Sequence, residues 1–157
     1  MMKYILFLFS IVFVSMFFFP FEFTFLTGIN TKHIMAGLGV LCFAWDVISF
    51  RTLTFSKELL IASLIALVFS MVGYYSTDYN NTTDYTYATY LGSMWVWYLA
   101  CYGACTCLRI SHGYISIKLI INYLLVVCVL QCIFALLIDF NLAFKNIIDS
   151  LFITGDR

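Results

Sequence analysis

The amino-acid sequence predicts an all-α fold: a polytopic bundle of about five transmembrane helices followed by a short C-terminal amphipathic helix. Three observations carry this prediction. The chain of 157 residues is 64% apolar and only 10% charged, whereas soluble domains are about half apolar and about a quarter charged. Its mean hydropathy is strongly positive, so there is too little polar surface to coat a water-facing globule, and lipid must replace water over most of the exterior. The apolar residues also fall into runs of roughly 16–22 residues, against about 20 needed to cross a hydrocarbon core.

The first run covers about residues 4–19, preceded by Lys3 and interrupted by Pro20. It opens like a signal peptide, but Val14-Ser15-Met16-Phe17 lacks a small-x-small cleavage pattern, so an uncleaved signal anchor is favoured over a cleaved signal. Phe21, Phe23, Phe25 and Leu26, broken by Glu22, read as interfacial, because a carboxylate at mid-bilayer is costly. Gly28 to Lys32 makes a turn with Thr31 as the expected helix cap. Further spans are expected over about 34–50, 59–75, 87–108 and 119–138. Ser56 stands where it can cap the third span, and a polar hairpin from Ser76 to Thr86 separates the third span from the fourth. In the tail, Leu142, Phe144, Ile147, Ile148, Leu151 and Phe152 roughly follow helical spacing, with Lys145, Asn146, Asp149 and Ser150 between them. That pattern predicts an amphipathic helix lying on the membrane. No repeat divides the chain, which reads as one transmembrane domain over residues 1–157.

Formal net charge is zero and the basic residues are dispersed, which excludes a nucleic-acid footprint and a polybasic lipid-binding cluster. With the N-terminus in the cytoplasm, the inner segments carry Lys3, Arg51, Lys57, Arg109 and Lys118, and the outer ones Lys32, Lys145 and Arg157. The bias toward positive inner loops places the N-terminus inside and the tail outside.

Candidate chemistry is sparse. Cys42, Cys101, Cys105, Cys107, Cys128 and Cys132 all fall within spans and form no C-x-x-C pair. Structural, apolar thiols are therefore favoured over a metal or redox site; no metal and no cofactor is expected. Asp46 is the most membrane-buried acid, read either as a proton or cation site or as an acid reaching the interface near Arg51 and Lys57; the second reading is favoured, since carboxylates within a span are costly. Asn122 and Gln131 are expected to bond to neighbouring helices. Ser63, Ala66, Ser70 and Gly73 form a small-residue stripe, with a weaker one at Ala100 and Ala104; both predict close helix packing. Tyr74, Tyr75, Tyr79, Tyr85, Tyr87 and Tyr90 crowd the hairpin and read as an interfacial belt or, secondarily, as a surface for sugars. Asn80 and Asn81 both open N-x-Thr, which has meaning only on a secretory-pathway chain. Catalytic triads, Walker A, Rossmann and H-E-x-x-H motifs are absent; Gly37-Leu38-Gly39 lies inside a span and is no phosphate loop.

The run Phe19-Pro20-Phe21-Glu22-Phe23-Thr24-Phe25-Leu26, then Gly28-Ile29-Asn30-Thr31-Lys32, resembles the start of bacterial O-antigen polymerase and O-antigen ligase-like membrane proteins. So do Ala44-Trp45-Asp46 before a short basic loop, Ser56-Lys57-Glu58-Leu59-Leu60, and Asp84-Tyr85-Thr86-Tyr87-Ala88. The resemblance implies an inner-membrane protein acting on polyprenyl-diphosphate-linked glycans, with transfer at the periplasmic face and no nucleotide or metal. Family members are much longer, with catalytic arginines and a histidine in later loops. The chain therefore looks like the N-terminal part of such a protein, with its remaining portion or other polysaccharide-assembly proteins as partners. No catalytic residue carries over. Lys32 and His33 are the candidate phosphate-binding pair on the outer face. The alternative is a non-enzymatic membrane component such as a transporter subunit or small helper.

Overall fold

The computed structural model describes residues 2–25, 28–51 and 56–152, with side chains from residue 6 onward. Expectations for the Lys3 side chain, for Leu26, and for Arg157 at the tail lie outside the described residues. The described chain folds as six helices: α1 (Met2–Phe18), α2 (Thr31–Phe50), α3 (Lys57–Tyr79), α4 (Tyr90–His112), α5 (Ile117–Phe140) and α6 (Leu142–Leu151). The predicted all-α fold holds. Helices α2 to α5 are long and apolar enough to cross a membrane. α1, at 17 residues, falls below them, spanning about 26 Å at 1.5 Å per residue, so of the five expected spans four reach full length.

Short polar side chains set the helix starts, by accepting from N–H groups that the first turn leaves unpaired. Ser56 Oγ accepts from Leu59 N at 3.1 Å, and Ser116 Oγ from Leu119 N at 3.2 Å. Asn141 Oδ1 accepts from both Ala143 N and Phe144 N at 3.1 Å, separating α6 from α5. The cap of α2 is Asn30, which accepts from Lys32 N at 3.1 Å, not the expected Thr31. Thr31 is fully buried, and its hydroxyl accepts from Phe21 N at 3.0 Å, so it fastens the loop after α1 instead. Gly113, at φ 76, closes α4 by donating to Arg109 O at 2.8 Å.

α4 is the centre of the bundle, in contact with α1, α2 and α3. Its closest partner is α2, and the two run parallel: Gly39 meets Leu99 and Gly103, and further along Asp46 meets Arg109. A Cβ on Gly39 would stand 1.8 Å from Leu99 O, so glycine is what permits this approach. Met35, Ala36, Ala100 and Ala104 fill the seam, covered by Phe13, Met16 and Phe17 of α1. The weaker of the two predicted small-residue stripes thus lies in the tightest interface. A second cluster, Ile11, Val14, Leu108, Tyr123 and Val127, joins α1, α4 and α5.

The α3 stripe also packs as expected. Ala66 is fully buried, Ser70 Oγ accepts from Leu91 N at 2.9 Å, and a Cβ on Gly73 would stand 2.8 Å from the Tyr87 backbone. Beyond these contacts α3 and α5 are open: Leu64, Val68 and Val72 on α3, and Leu125, Val129 and Leu136 on α5, are exposed. Asn122 is exposed too, and among the described residues neither it nor Gln131 makes the expected hydrogen bond to another helix. The reason is that α5 lies at the edge of the bundle: among the described residues its backbone comes close only to α1 and α6, and it reaches α4 through side chains near its start. α6 is held to the loop after α1 by Thr24, whose N–H donates to Leu151 O at 3.1 Å and whose hydroxyl donates to Ser150 O at 2.9 Å. Phe21 packs edge-on against Phe152 at 4.8 Å.

Candidate functional site

The last turns of α4 gather most of the polar contact between helices. Tyr102 and Arg109 are seven residues apart, two turns along one face of α4. The parallel seam brings Asp46 of α2 between them. Arg109 Nη2 donates to Asp46 Oδ2 at 3.0 Å, and the Tyr102 hydroxyl donates to the same oxygen. Phe43 packs edge-on against the Tyr102 ring at 5.6 Å, which fixes the orientation of the phenol. The Asp46 side chain is 21% exposed and that of Arg109 49%. Asp46 therefore does not reach toward Arg51 and Lys57 as expected. Its partner comes from α4, because the glycine seam sets α2 and α4 in register.

Two more ties lie close by. Ser10 of α1, fully buried, meets Ser111 Oγ at 2.7 Å and donates to Leu6 O at 2.9 Å. His112 Nε2 meets the hydroxyl of buried Tyr123 on α5 at 2.8 Å. α4 is thus bonded to α2, α1 and α5 within a few turns of its C-terminus. An arginine there is also favoured by the partial negative charge of the helix end, whereas Asp46, one turn from the end of α2, is opposed by it and depends on Arg109. Chemically the cluster is a charge-compensated tie between helices: the carboxylate already holds a fixed guanidinium where a bound cation would sit.

Lys32 and His33 stand at the opposite end, at the start of α2. Lys32 is half-buried and its Nζ lies 6.0 Å from the Trp97 ring centre, the outer reach of a cation–π contact. Trp97 in turn packs edge-on against Phe17 at 5.8 Å. His33 is exposed, and its backbone N–H donates to Asn30 O at 2.9 Å. Among the described residues, neither Lys32 nor His33 forms an ion pair with an acid. All six cysteines are free thiols, and among the described residues no group of three His, Cys, Asp or Glu side chains converges for a metal.

Outside the spans, one carboxyl stands out. Asp84 accepts from the Thr86 hydroxyl and from Thr86 N at 3.0 Å, and these bonds hold its carboxyl below the usual carboxylate value. Sequence reasoning missed Tyr102, Ser10, Ser111 and Tyr123. The seven-residue spacing of Tyr102 and Arg109 was the available signal, hidden because Arg109 reads as a loop residue when α4 is ended four residues early. No family model, no curated protein and no solved structure matches this chain.

Proposed function

We propose that the chain is a multi-pass scaffold of surface-polysaccharide assembly in the bacterial inner membrane, of the O-antigen polymerase or ligase type. In this reading its helices shape a groove for a polyprenyl-diphosphate-linked glycan, and the transfer chemistry belongs to other polypeptide. The observation that carries it is the groove between α5 and α6, about 910 Å³, lined by Gln131, Phe134, Ile138, Leu142, Asp139 and Lys145 among others. It offers apolar length for a lipid chain and a cation near the end where a diphosphate would sit. Transfer from a lipid diphosphate needs cations at the leaving group and a base or positioning group at the acceptor. Among the described residues, the end of the bundle that holds Lys32 offers only that half-buried lysine, exposed His33 and Lys145, too little for catalysis.

Orientation follows from the same distribution. Arg51, Lys57, Arg109 and Lys118 stand at the Asp46 end; Lys32 and Lys145 stand at the other with Glu22, Asp78, Asp84, Asp139 and Asp149. The Asp46 end is cytoplasmic and the α3–α4 hairpin is periplasmic. Deleting the gene in its native host should shorten or thin the surface-polysaccharide ladder on a gel. Expression of residues 1–157 in a strain lacking its own polymerase or ligase should restore nothing. An unchanged ladder in the deletion strain overturns the polysaccharide role, and a restored one in the deficient strain overturns the inert-scaffold role. A non-enzymatic helper of another assembly is the second reading, favoured by the open flanks of α3 and α5, and an unchanged ladder would select it.

A further inference from the structure

More than half of the chain's eleven tyrosines lie between Tyr74 and Tyr90, at the one corner where α3 ends and α4 begins. An interfacial belt spreads its aromatic rings around both rims of a bundle. This cluster is confined to a single hairpin, and its only charged residues are Asp78 and Asp84. Two carboxylates without a cation repel the phosphates of lipid headgroups. The rings nevertheless stand open: Tyr75 is 71% and Tyr87 70% exposed.

The rings form two groups. On one side Tyr74 lies 6.1 Å from Tyr75 and 6.0 Å from Tyr85, between ring centres. On the other, Phe69, Tyr87 and Tyr90 line a hollow of about 180 Å³. Gly73 lets the Tyr87 backbone lie close against α3. The hairpin is also held in shape by its own bonds. The Thr77 hydroxyl donates to Asp84 O at 2.8 Å, Thr82 N donates to Thr77 O at 3.1 Å, and Asp84 accepts from Thr86. Such a surface is organised before any ligand arrives, so little ordering cost remains on binding.

We infer that the α3–α4 hairpin is a carbohydrate-binding platform for a neutral oligosaccharide. The electron-rich face of a tyrosine ring attracts the weakly positive C–H face of a sugar ring. Phenolic hydroxyls, the Asn80 and Asn81 amides and the Asp78 carboxylate supply hydrogen-bond partners for sugar hydroxyls at the rim. The absence of cations along the hairpin suits an uncharged ligand and disfavours an anionic one. The inference deepens the proposed function and takes the outward orientation of the hairpin from it.

The test uses the full chain in nanodiscs of zwitterionic lipid. The probes are neutral oligosaccharides of glucose, galactose, mannose and N-acetylglucosamine, read by saturation-transfer NMR on irradiation of aromatic protons. At least one should receive saturation on its ring C–H protons. Tyr85→Ala should weaken binding by about 3- to 10-fold, the scale of one aromatic contact, while Tyr85→Phe should leave it near wild type. In the unsubstituted protein, the same sugar should protect Tyr74 and Tyr85 from nitration and leave Tyr114, at the opposite end of α4, unprotected. That arm holds even where an alanine variant fails to insert. Absence of saturation across the sugars overturns the platform, as does displacement of a bound sugar by inorganic pyrophosphate or by phosphatidylglycerol. Either result leaves the scaffold reading standing, because that reading is scored on the polysaccharide ladder of the deletion strain.

Discussion

α4 and α5 are nearly equal in length, 23 and 24 residues, and α5 is the more apolar. Yet α4 buries 22% of its most apolar window inside the protein and α5 only 11%. In water the more apolar helix would be the more buried. In lipid the tails surrounding a helix are as apolar as its side chains, so leucine content gives helices no reason to meet. What α4 has is Ala100, Gly103 and Ala104, which admit the α2 backbone, and Tyr102, Arg109, Ser111 and His112, which bond across to α2, α1 and α5. α5 presents mainly Leu, Ile, Val and Phe, and buries only Tyr123 and Val127.

The sharpest way to break this contrast is at the glycines. Gly39→Ala places a methyl 1.8 Å from Leu99 O, so the seam must open. The expected cost is about 3 kcal/mol, the upper end of the usual range for overpacking. Gly37→Ala meets nothing within 4 Å and should stabilise α2 by up to about 1 kcal/mol through helix propensity. Thermal unfolding of both variants in detergent separates them; equal midpoints would mean that α2 and α4 do not meet along this face.

The next largest effect concerns the charge tie. Arg109→Leu strands the Asp46 carboxylate one turn inside α2, at an expected cost of about 2 kcal/mol, somewhat below insertion values for a helix centre. The double variant Asp46→Leu/Arg109→Leu should recover most of that loss, because removing both charges avoids the unpaired one. A double-mutant cycle reads the difference, and a double variant as unstable as the sum of the singles would deny the pairing. Smaller again is a comparison within α5. Val127→Ala, at a fully buried site, should cost about 1.5 kcal/mol, and Val129→Ala, at a site 58% exposed, less than about 0.5.

Most of the fold was legible in the sequence, because membrane spans announce themselves by length and apolarity, and neither depends on what packs where. The cap at Ser56 and the α3 stripe were legible for the same reason: each is local to one helix. Pairing between helices was not. Ala100 and Ala104 look like a weaker stripe than Ser63 to Gly73, and nothing local says that α2 runs parallel to α4 with Asp46 opposite Arg109. Asn122 and Gln131 erred in the other direction. A polar residue in a span suggests a partner, but α5 sits at the edge of the bundle and faces none there. Lys32 and His33 were correctly placed at the start of α2, while the aromatic support of Lys32 by Trp97 needed the fold.

The smallest effect contrasts the hairpin with the seam. The Asp84 carboxyl is held below its usual value of 3.8 by Thr86, so its bonds contribute above that value and fade as the pH falls through the lowered one. The protection of Thr86 N, its exchange rate relative to unstructured peptide at the same pH, should therefore fall in acid, and Asp84→Asn should flatten that dependence. The middle of the seam, around Gly39, Ala100 and Gly103 and away from the Asp46 carboxylate, should keep its protection over the same range.

The parallel α2–α4 seam, with α3 and α5 apart on its flanks, is the claim on which the rest depends. In a background with the native cysteines replaced, Phe43→Cys/Tyr102→Cys joins positions whose rings lie 5.6 Å apart, and Leu64→Cys/Val129→Cys joins exposed faces of α3 and α5, which make no contact among the described residues. Mild oxidation in membranes should cross-link the first pair rapidly within one chain and leave the second free. An unlinked first pair, or an intramolecular link in the second, would contradict the account.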